Sequence, residues 1–244
     1  MVRTLLIRGM LVGMVGAALA FAFASVFGEP AIDAAIAFEY RHAAPGMDDP
    51  ELVSRSVQST LGLAVAVVIY GSALGGIFAL AFAFAHGRLG ALSARATSVL
   101  VATGTFAAIY LVPFVKYPAN PPAVGEPDTI ARRSALYLLM VLVSVLSVVA
   151  AVLLGRMAVA RLGTWNAVLV GAGAFVLCVA VAGAVLPGVD EVPGDFPATA
   201  LWRFRLASVG TQLVLWTTVG LVFGALTERR ARRRAAVAQT AAAG

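Results

Sequence analysis

Six long apolar segments constrain this 244-residue chain more than any other feature. Each has about the 20 residues that a helix needs to cross roughly 30 Å of hydrocarbon. In lipid, the backbone must form its hydrogen bonds within the protein, which α-helices and closed β-barrels achieve. The segments lack the alternating polarity of a membrane β-barrel. The sequence therefore predicts an all-α, polytopic transmembrane helix bundle of six spans. The segments cover residues 5–27, 56–85, 96–115, 134–155, 167–186 and 206–227.

The charged residues predict the orientation of this bundle. Eleven of the twelve acidic residues lie in the alternate connections 28–55, 116–133 and 187–205, and only Glu228 lies on the other side. That other side, with the short loops and both ends of the chain, holds eleven of the eighteen arginines and lysines. Short arginine-bearing loops without acids are typical of cytoplasmic loops. We therefore predict a multi-pass protein of the inner (plasma) membrane with both termini cytoplasmic.

The net charge of +6 does not point to nucleic acid, because the cations follow the membrane topology. The arginine cluster in residues 229–234 is suited to anionic lipid head groups, and the bilayer is the expected partner. No composition shift divides residues 1–228, which we take as a single integral membrane domain. Residues 229–244 form a short basic, then alanine-rich, cytoplasmic tail that we predict to be disordered.

The first apolar segment also has features of a signal peptide. Arg3 and Arg8 precede its apolar run from Gly9 to Phe27, and Ala22-Phe23-Ala24 resembles a cleavage site with two small residues. The run is longer than the usual 7–15-residue signal core, so we predict a retained span. Cleavage would leave five spans with the same orientation.

Small residues at four-residue spacing predict where helices touch. Such pairs let two helix backbones approach closely in lipid, where apolar burial gives no drive for association. The pairs are Gly9 and Gly13, Gly71 and Gly75, and Gly220 and Gly224.

Several chemistries have no signature in the sequence. Phosphate-binding, zinc-protease and serine-hydrolase motifs are absent, so we expect no enzyme. The spans contain no deeply placed Asp, Glu, Lys or His, which argues against a self-contained proton-driven pump. The functions that remain are a passive pathway, a subunit energised by another protein, or a scaffold. Cys178 is the single cysteine, so no intrachain disulfide or thiolate metal site forms.

The first acidic connection holds the candidate metal ligands. Its start reads as a short interfacial helix in which Glu29 and Asp33 share one face, and Glu39 and His42 share another. Carboxylate and imidazole groups together suit a divalent metal of the cobalt, nickel and zinc range. A solvated acidic helix with an ordinary surface histidine is the alternative, and the residues alone favour it because two ligands do not complete a coordination sphere.

Polar residues near the starts of the even-numbered spans form a second candidate site. Gln58 on span 2, with Ser208 and Gln212 on span 6, would form an uncharged polar pathway if these faces converge. The arginines beside them would repel a cation, so we expect them to be structural and to pair with acids or head groups. These arginines are Arg55, Arg132, Arg133, Arg203 and Arg205.

Four stretches of the chain are distinctive, namely residues 111–125 (LVPFVKYPANPPAVG), 201–212 (LWRFRLASVGTQ), 26–30 (VFGEP) and 52–60 (LVSRSVQST). They resemble the CbtA family of predicted cobalt transporter subunits, and the similarity extends from about residue 3 to residue 229. This resemblance implies an integral membrane protein linked to cobalt supply for cobalamin synthesis. It also implies a small single-span partner with a histidine motif. Members often have more histidines in the first outer connection, where this chain has His42 alone.

The resulting hypothesis is a membrane subunit of divalent cobalt uptake, with cobalt as its substrate and no permanently bound cofactor. Outer acids and His42 would gather the metal, and the region of Gln58 and Gln212 would lie along its path. A homo-oligomer is compatible with this hypothesis. The alternative is a membrane scaffold or accessory protein without a metal pathway.

Overall fold

The computed structural model describes residues 2–42, 63–122 and 124–243, and this part of the chain is helical apart from turns and connections. Seven α-helices, a π-helical stretch and one 3-10 turn are formed there. In chain order they are α1 (Val2–Phe27), α2 (Glu29–His42), α3 (Leu63–Ala85), α4 (Ala94–Thr105), the π stretch Phe106–Leu111, α5 (Val112–Lys116), the 3-10 turn Pro127–Thr129, α6 (Ile130–Val185) and α7 (Ala198–Ala243).

Five helices in the described ranges are long and apolar enough to cross a membrane. The fourth, Pro127–Val185, covers both segments that the sequence predicts as spans 4 and 5. Its α-helical part has 56 residues, which at ~1.5 Å per residue would extend roughly 84 Å if straight, well beyond a bilayer core.

Helix α6 is not straight, because Gly163 interrupts it with a non-helical backbone (φ 73°, ψ 166°). The two arms then pack against each other. A Cβ on Gly171 would lie 2.7 Å from the Ala151 carbonyl oxygen, and one on Gly155 would lie 3.3 Å from that of Ala167. Positive φ suits glycine, which has no Cβ to clash. The residues between the fourth and fifth predicted segments are therefore helical except at Gly163, because good helix formers surround it.

The described residues form two compact units. The first comprises residues 2–29, 63–103 and 207–243, and the second comprises residues 30–42, 104–122 and 124–206.

In the first unit, α1 and α3 touch through the glycine pairs predicted to mark helix contacts. A Cβ on Gly75 would lie 2.7 Å from the carbonyl carbon of Gly9 and 2.9 Å from Cα of Gly13. Gly71 packs against Gly13 in the same way. These contacts confirm that prediction.

The third pair, Gly220 and Gly224, packs against α4, so it is confirmed as well. A Cβ on Gly224 would lie 2.9 Å from Ser98 Cβ, and one on Gly220 would lie 2.8 Å from that of Ala102. The close approach also allows the buried Ser98 hydroxyl to donate a 2.7 Å hydrogen bond to the Gly220 carbonyl. This bond joins α4 to α7 inside the apolar region.

Glu228, the single acid among the arginine-bearing connections, stabilises the start of α4. Its Oε2 accepts a 3.1 Å hydrogen bond from the Arg95 backbone amide, and its Oε1 lies 2.8 Å from Arg232. A carboxylate is favourable at the positive end of a helix, where backbone N–H groups lack partners within the helix. Nearby, Arg8 donates to the Thr227 hydroxyl at 2.8 Å and so connects α1 to α7.

In the second unit, the short helix predicted at the start of the first acidic connection is present as α2, and the face that packs against the rest of this unit is apolar. Ala35 and Phe38 are buried together with Val124, Phe196 and Ala200. The rings of Phe38 and Phe196 meet edge to face at 5.0 Å between centroids. Three segments far apart in the sequence thus share one small core.

The basic tail differs from its sequence prediction. Helix α7 continues through residue 243, so residues 229–243 are helical where the composition led us to predict disorder. Alanine and arginine are strong helix formers, and the Glu228–Arg232 ion pair has the favourable i, i+4 spacing.

We predict that Gly75→Ala lowers the free energy of unfolding by about 1–3 kcal/mol, because the added methyl overlaps the α1 backbone. Gly76→Ala is the matched control, since its Cβ would meet only Met10 Cγ at 3.6 Å, an ordinary contact. Denaturation of both purified variants in mixed detergent micelles measures the difference. Equal stabilities would contradict the close α1–α3 contact.

Candidate functional site

His42 lies at the end of α2, and both of its ring nitrogens face an acceptor. Nδ1 is 2.9 Å from the Phe38 carbonyl oxygen, and Nε2 is 2.9 Å from Oδ2 of Asp195. The imidazole also stacks on the Phe38 ring at 4.2 Å between centroids. A metal at His42 would therefore have to replace one of these contacts.

The predicted acidic ligands lie on the exposed side of α2. Glu29, Asp33 and Glu39 are all exposed, while Ala31, Ala35 and Phe38 form the buried face of the helix. Within residues 2–42, 63–122 and 124–243, no three His, Cys, Asp or Glu side chains form a group that could hold a metal ion. The role of Glu29, Asp33, Glu39 and His42 in gathering a metal stays a prediction.

Two of the three residues of the proposed polar pathway, Ser208 and Gln212, lie in the described part of the chain. Gln58, like Arg55, lies outside the described residues. Ser208 and Gln212 are half-buried, one helical turn apart on α7, and the Gln212 side chain hydrogen-bonds the Tyr70 phenol of α3. This contact joins two helices of the first unit, and a pathway role for these residues stays a prediction.

The remaining arginines differ in their surroundings. Arg133 pairs with Glu191 at 3.4 Å from Nε to Oε2. Arg205 donates to the Asn120 side-chain oxygen at 2.9 Å and to the Ala119 carbonyl at 3.3 Å. Arg132 and Arg203 are exposed. The sequence predicts that these arginines pair with acids of the connections or with head groups. Arg133 forms such a pair with Glu191.

Glu191 joins two of the acidic connections within the second unit. Its Oε2 accepts hydrogen bonds from the Glu126 amide at 3.0 Å and the Thr129 hydroxyl at 2.8 Å, beside Arg133. Desolvation opposes ionisation of this carboxyl. The hydrogen bonds from Thr129 and Glu126 and the charges of Arg133 and Arg132 outweigh it, so the pKa of Glu191 is lowered from its ordinary value of 4.5.

A cavity of about 660 Å³ opens in the second unit, and we call it the arginine cavity. Its walls come from the π stretch, α5 and the proline-rich stretch that follows, together with the start of α6, the connection before α7 and Arg205 of α7. It is lined by Tyr110, Phe114, Tyr117, Pro118, Ala119, Asn120, Ile130, Arg133, Ser134, Tyr137, Leu138, Val189, Asp190, Val192 and Arg205.

The proline-rich stretch that follows α5 forms part of this cavity wall and is anchored by tyrosine. The Tyr117 hydroxyl donates to the Pro187 carbonyl at 2.9 Å, which joins the second and third acidic connections. Burial raises the pKa of this phenol.

Tyr137 supports the wall from α6. Its hydroxyl donates to the Ile109 carbonyl at 3.3 Å. Pro113, four residues after Ile109, has no N–H to donate to that carbonyl, and the chain forms a π-helical stretch there instead. The Tyr137 hydroxyl thus donates to the Ile109 carbonyl, which in a regular helix would lack its usual donor because residue 113 is proline.

Sequence reasoning missed Asn120, Asp190, Glu191 and Asp195 as site residues, although it noted the stiff proline-rich stretch and the acids. The partners of Asn120, Glu191 and Asp195 lie between 58 and 153 positions away in the chain, so no spacing rule points to them. The density of prolines around Asn120 was the one available signal, since it indicates a segment held in a single shape.

Five long apolar helices with their polar side chains gathered at the ends and connections define a polytopic helical membrane protein. The chain belongs to the CbtA family, whose model, described as "Probable cobalt transporter subunit", matches residues 2–228. No curated protein and no solved structure matches the chain.

We predict that Glu191→Gln destabilises the protein above pH 4.5 and that the difference from wild type shrinks in more acidic solution. A carboxyl whose pKa is depressed on folding contributes its full stability above its unfolded pKa and loses it as the pH falls through the folded value. Thermal melting across this range measures the effect.

Asp190→Asn is the matched control, because the neighbouring Asp190 carboxylate forms no hydrogen bond or ion pair with the residues described. Its melting temperature should follow that of wild type at each pH. An equal loss of stability in both variants would show that the Glu191 contacts contribute nothing specific.

Proposed function

We propose that the chain is the membrane-spanning subunit of an uptake system for divalent cobalt. The observation that carries this proposal is the family match over residues 2–228, which covers nearly the whole chain. The five long apolar helices agree with a transport component embedded in the inner membrane. We further propose that the cobalt supplies cobalamin synthesis and that a small single-span subunit bearing histidines acts with this chain.

The proposed topology has six spans, with both termini in the cytoplasm. The packing of Gly171 on Ala151 supports a hairpin in α6, with Gly163 between two spans rather than in the middle of one. The arginines near this break, Arg156 and Arg161, support a cytoplasmic position under the positive-inside rule.

A scaffold or accessory role without a metal pathway is the second candidate. It is favoured by the absence of a three-residue metal group among the described residues and by the two contacts that already engage His42. Under this alternative, the metal would bind the partner subunit and this chain would hold that partner in the membrane.

Accumulation of radioactive cobalt in cells that express the chain, with and without the partner, tests transport. We expect uptake above that of cells with an empty vector when both proteins are present, and its absence would contradict the proposal. The Glu39→Ala, His42→Ala double variant should lower this uptake severalfold if these side chains gather the metal.

His86→Ala is the control for that variant, because His86 is the second of two histidines and contacts Thr97 in the first unit. It should transport cobalt as wild type does. Uptake that is unchanged in the double variant, while still dependent on the chain, would favour the accessory role.

Cysteine labelling tests the six-span topology. In a Cys178→Ser background, a membrane-impermeant maleimide should label Gly194→Cys but not Arg161→Cys in right-side-out membrane vesicles. Both positions are exposed, so both should react once the vesicles are permeabilised. Equal labelling before permeabilisation would contradict a cytoplasmic turn between the arms of α6.

A further inference from the structure

Within residues 2–42, 63–122 and 124–243, Arg205 differs from the other arginine of the cavity in having no acidic partner. Arg133 pairs with Glu191, whereas in this described part of the chain the guanidinium of Arg205 contacts only two neutral acceptors, the Asn120 side-chain oxygen and the Ala119 carbonyl. Asp190 lines the same cavity but forms no ion pair with Arg205. The cavity wall therefore carries a positive charge with which no carboxylate of the described residues forms an ion pair.

This arrangement holds Arg205 ready for an anion. The guanidinium is half-buried, so its charge has lost part of its hydration without gaining a carboxylate from the described residues. Asn120 and Ala119 engage Nη2 and Nε, and Nη1 forms no hydrogen bond with the described part of the chain. Guanidinium groups suit phosphate oxygens in charge and in planar geometry, and neutral acceptors that fix the group reduce the entropy lost on binding.

The rest of the cavity fits a ligand with an apolar part. Its volume of about 660 Å³ is within the usual range for small-molecule sites, roughly 300–1,000 Å³. Tyr110 and Phe114 stack at 5.3 Å between centroids on one wall, and Leu138 adds an aliphatic surface. The lining carries the two arginines against the single carboxylate of Asp190, and this positive balance is unfavourable for a bare divalent cation.

We propose that the arginine cavity binds a phosphate group through Arg205, with the stacked aromatic wall contacting the body of the same ligand. The phosphate comes from either a lipid head group or a soluble phosphate compound. This site is separate from the acids and His42 of α2, and it does not depend on cobalt transport by the chain.

Two binding measurements on the full-length purified protein distinguish the sources. In the lipid arm, the protein is reconstituted into phosphatidylcholine vesicles with phosphatidylglycerol, extracted with detergent, and its retained lipids are counted by native mass spectrometry. In the soluble arm, delipidated protein in detergent is titrated with inorganic phosphate in a calorimeter.

Arg205→Gln should weaken binding about tenfold in the arm that contains the true source, because a charged hydrogen bond is lost. Arg203→Gln is the matched control, since Arg203 is exposed on the same helix and does not line the cavity. A loss confined to the lipid arm assigns a head group, and one confined to the phosphate arm assigns a soluble ligand. Equal binding by both variants in both arms would overturn the proposal.

Asn120→Asp provides a second test that does not remove the arginine. It places a carboxylate where the amide oxygen lies 2.9 Å from Arg205, so the protein supplies its own counter-ion. This variant should also bind phosphate about tenfold more weakly, through charge neutralisation, while melting at or above the wild-type temperature. If Arg205→Gln fails to fold, this variant decides, and wild-type phosphate binding by Asn120→Asp would refute the site.

Discussion

Hydrocarbon supplies no hydrogen-bond partners, and the described helices are arranged to meet this constraint. Apolar burial gives little drive for helix association in lipid, so contact depends on close packing. Helices α1 and α3 achieve it by placing Gly9 and Gly13 against Gly71 and Gly75. Where proline removes a donor, the Tyr137 hydroxyl serves the Ile109 carbonyl from α6. Glycine contacts and single polar bonds thus stabilise helix contacts that apolar burial would stabilise in a soluble core.

The charged residues combine orientation with local stabilisation. Glu228 is the exception to the one-sided distribution of acids, and its carboxylate accepts the Arg95 amide near the start of α4. Glu191 lies among the other acids, and its carboxylate joins two connections through Glu126 and Thr129. The acids of the connections therefore cannot all be assigned to attracting a cation, because Glu191 already forms structural hydrogen bonds.

Sequence reasoning succeeded where the controlling interaction is local. The apolar lengths predicted the long helices, and the boundaries of α2 follow from Pro30 near its start and its apolar spacing. It was incomplete at His42, where i, i+3 spacing suggested Glu39 as the companion and the structure pairs the imidazole with Asp195. Beside that pair, the Phe38–Phe196 contact packs the same distant connection onto α2. Arg205 meets Asn120 for a similar reason, through the path of the proline-rich stretch.

The sequence by itself determined that this chain is a helical membrane protein, because transfer of each apolar segment into lipid depends on that segment's own composition. The motifs near Asn120 also led to the family on sequence alone. Only the tertiary structure decided that the two arms of α6 pack against each other across Gly163 and that Glu191 joins two connections. It also decided that Arg205 lines a cavity without an acidic partner among the described residues. Each of these depends on separate segments meeting in space, and residue spacing along one helix carries no information about such meetings.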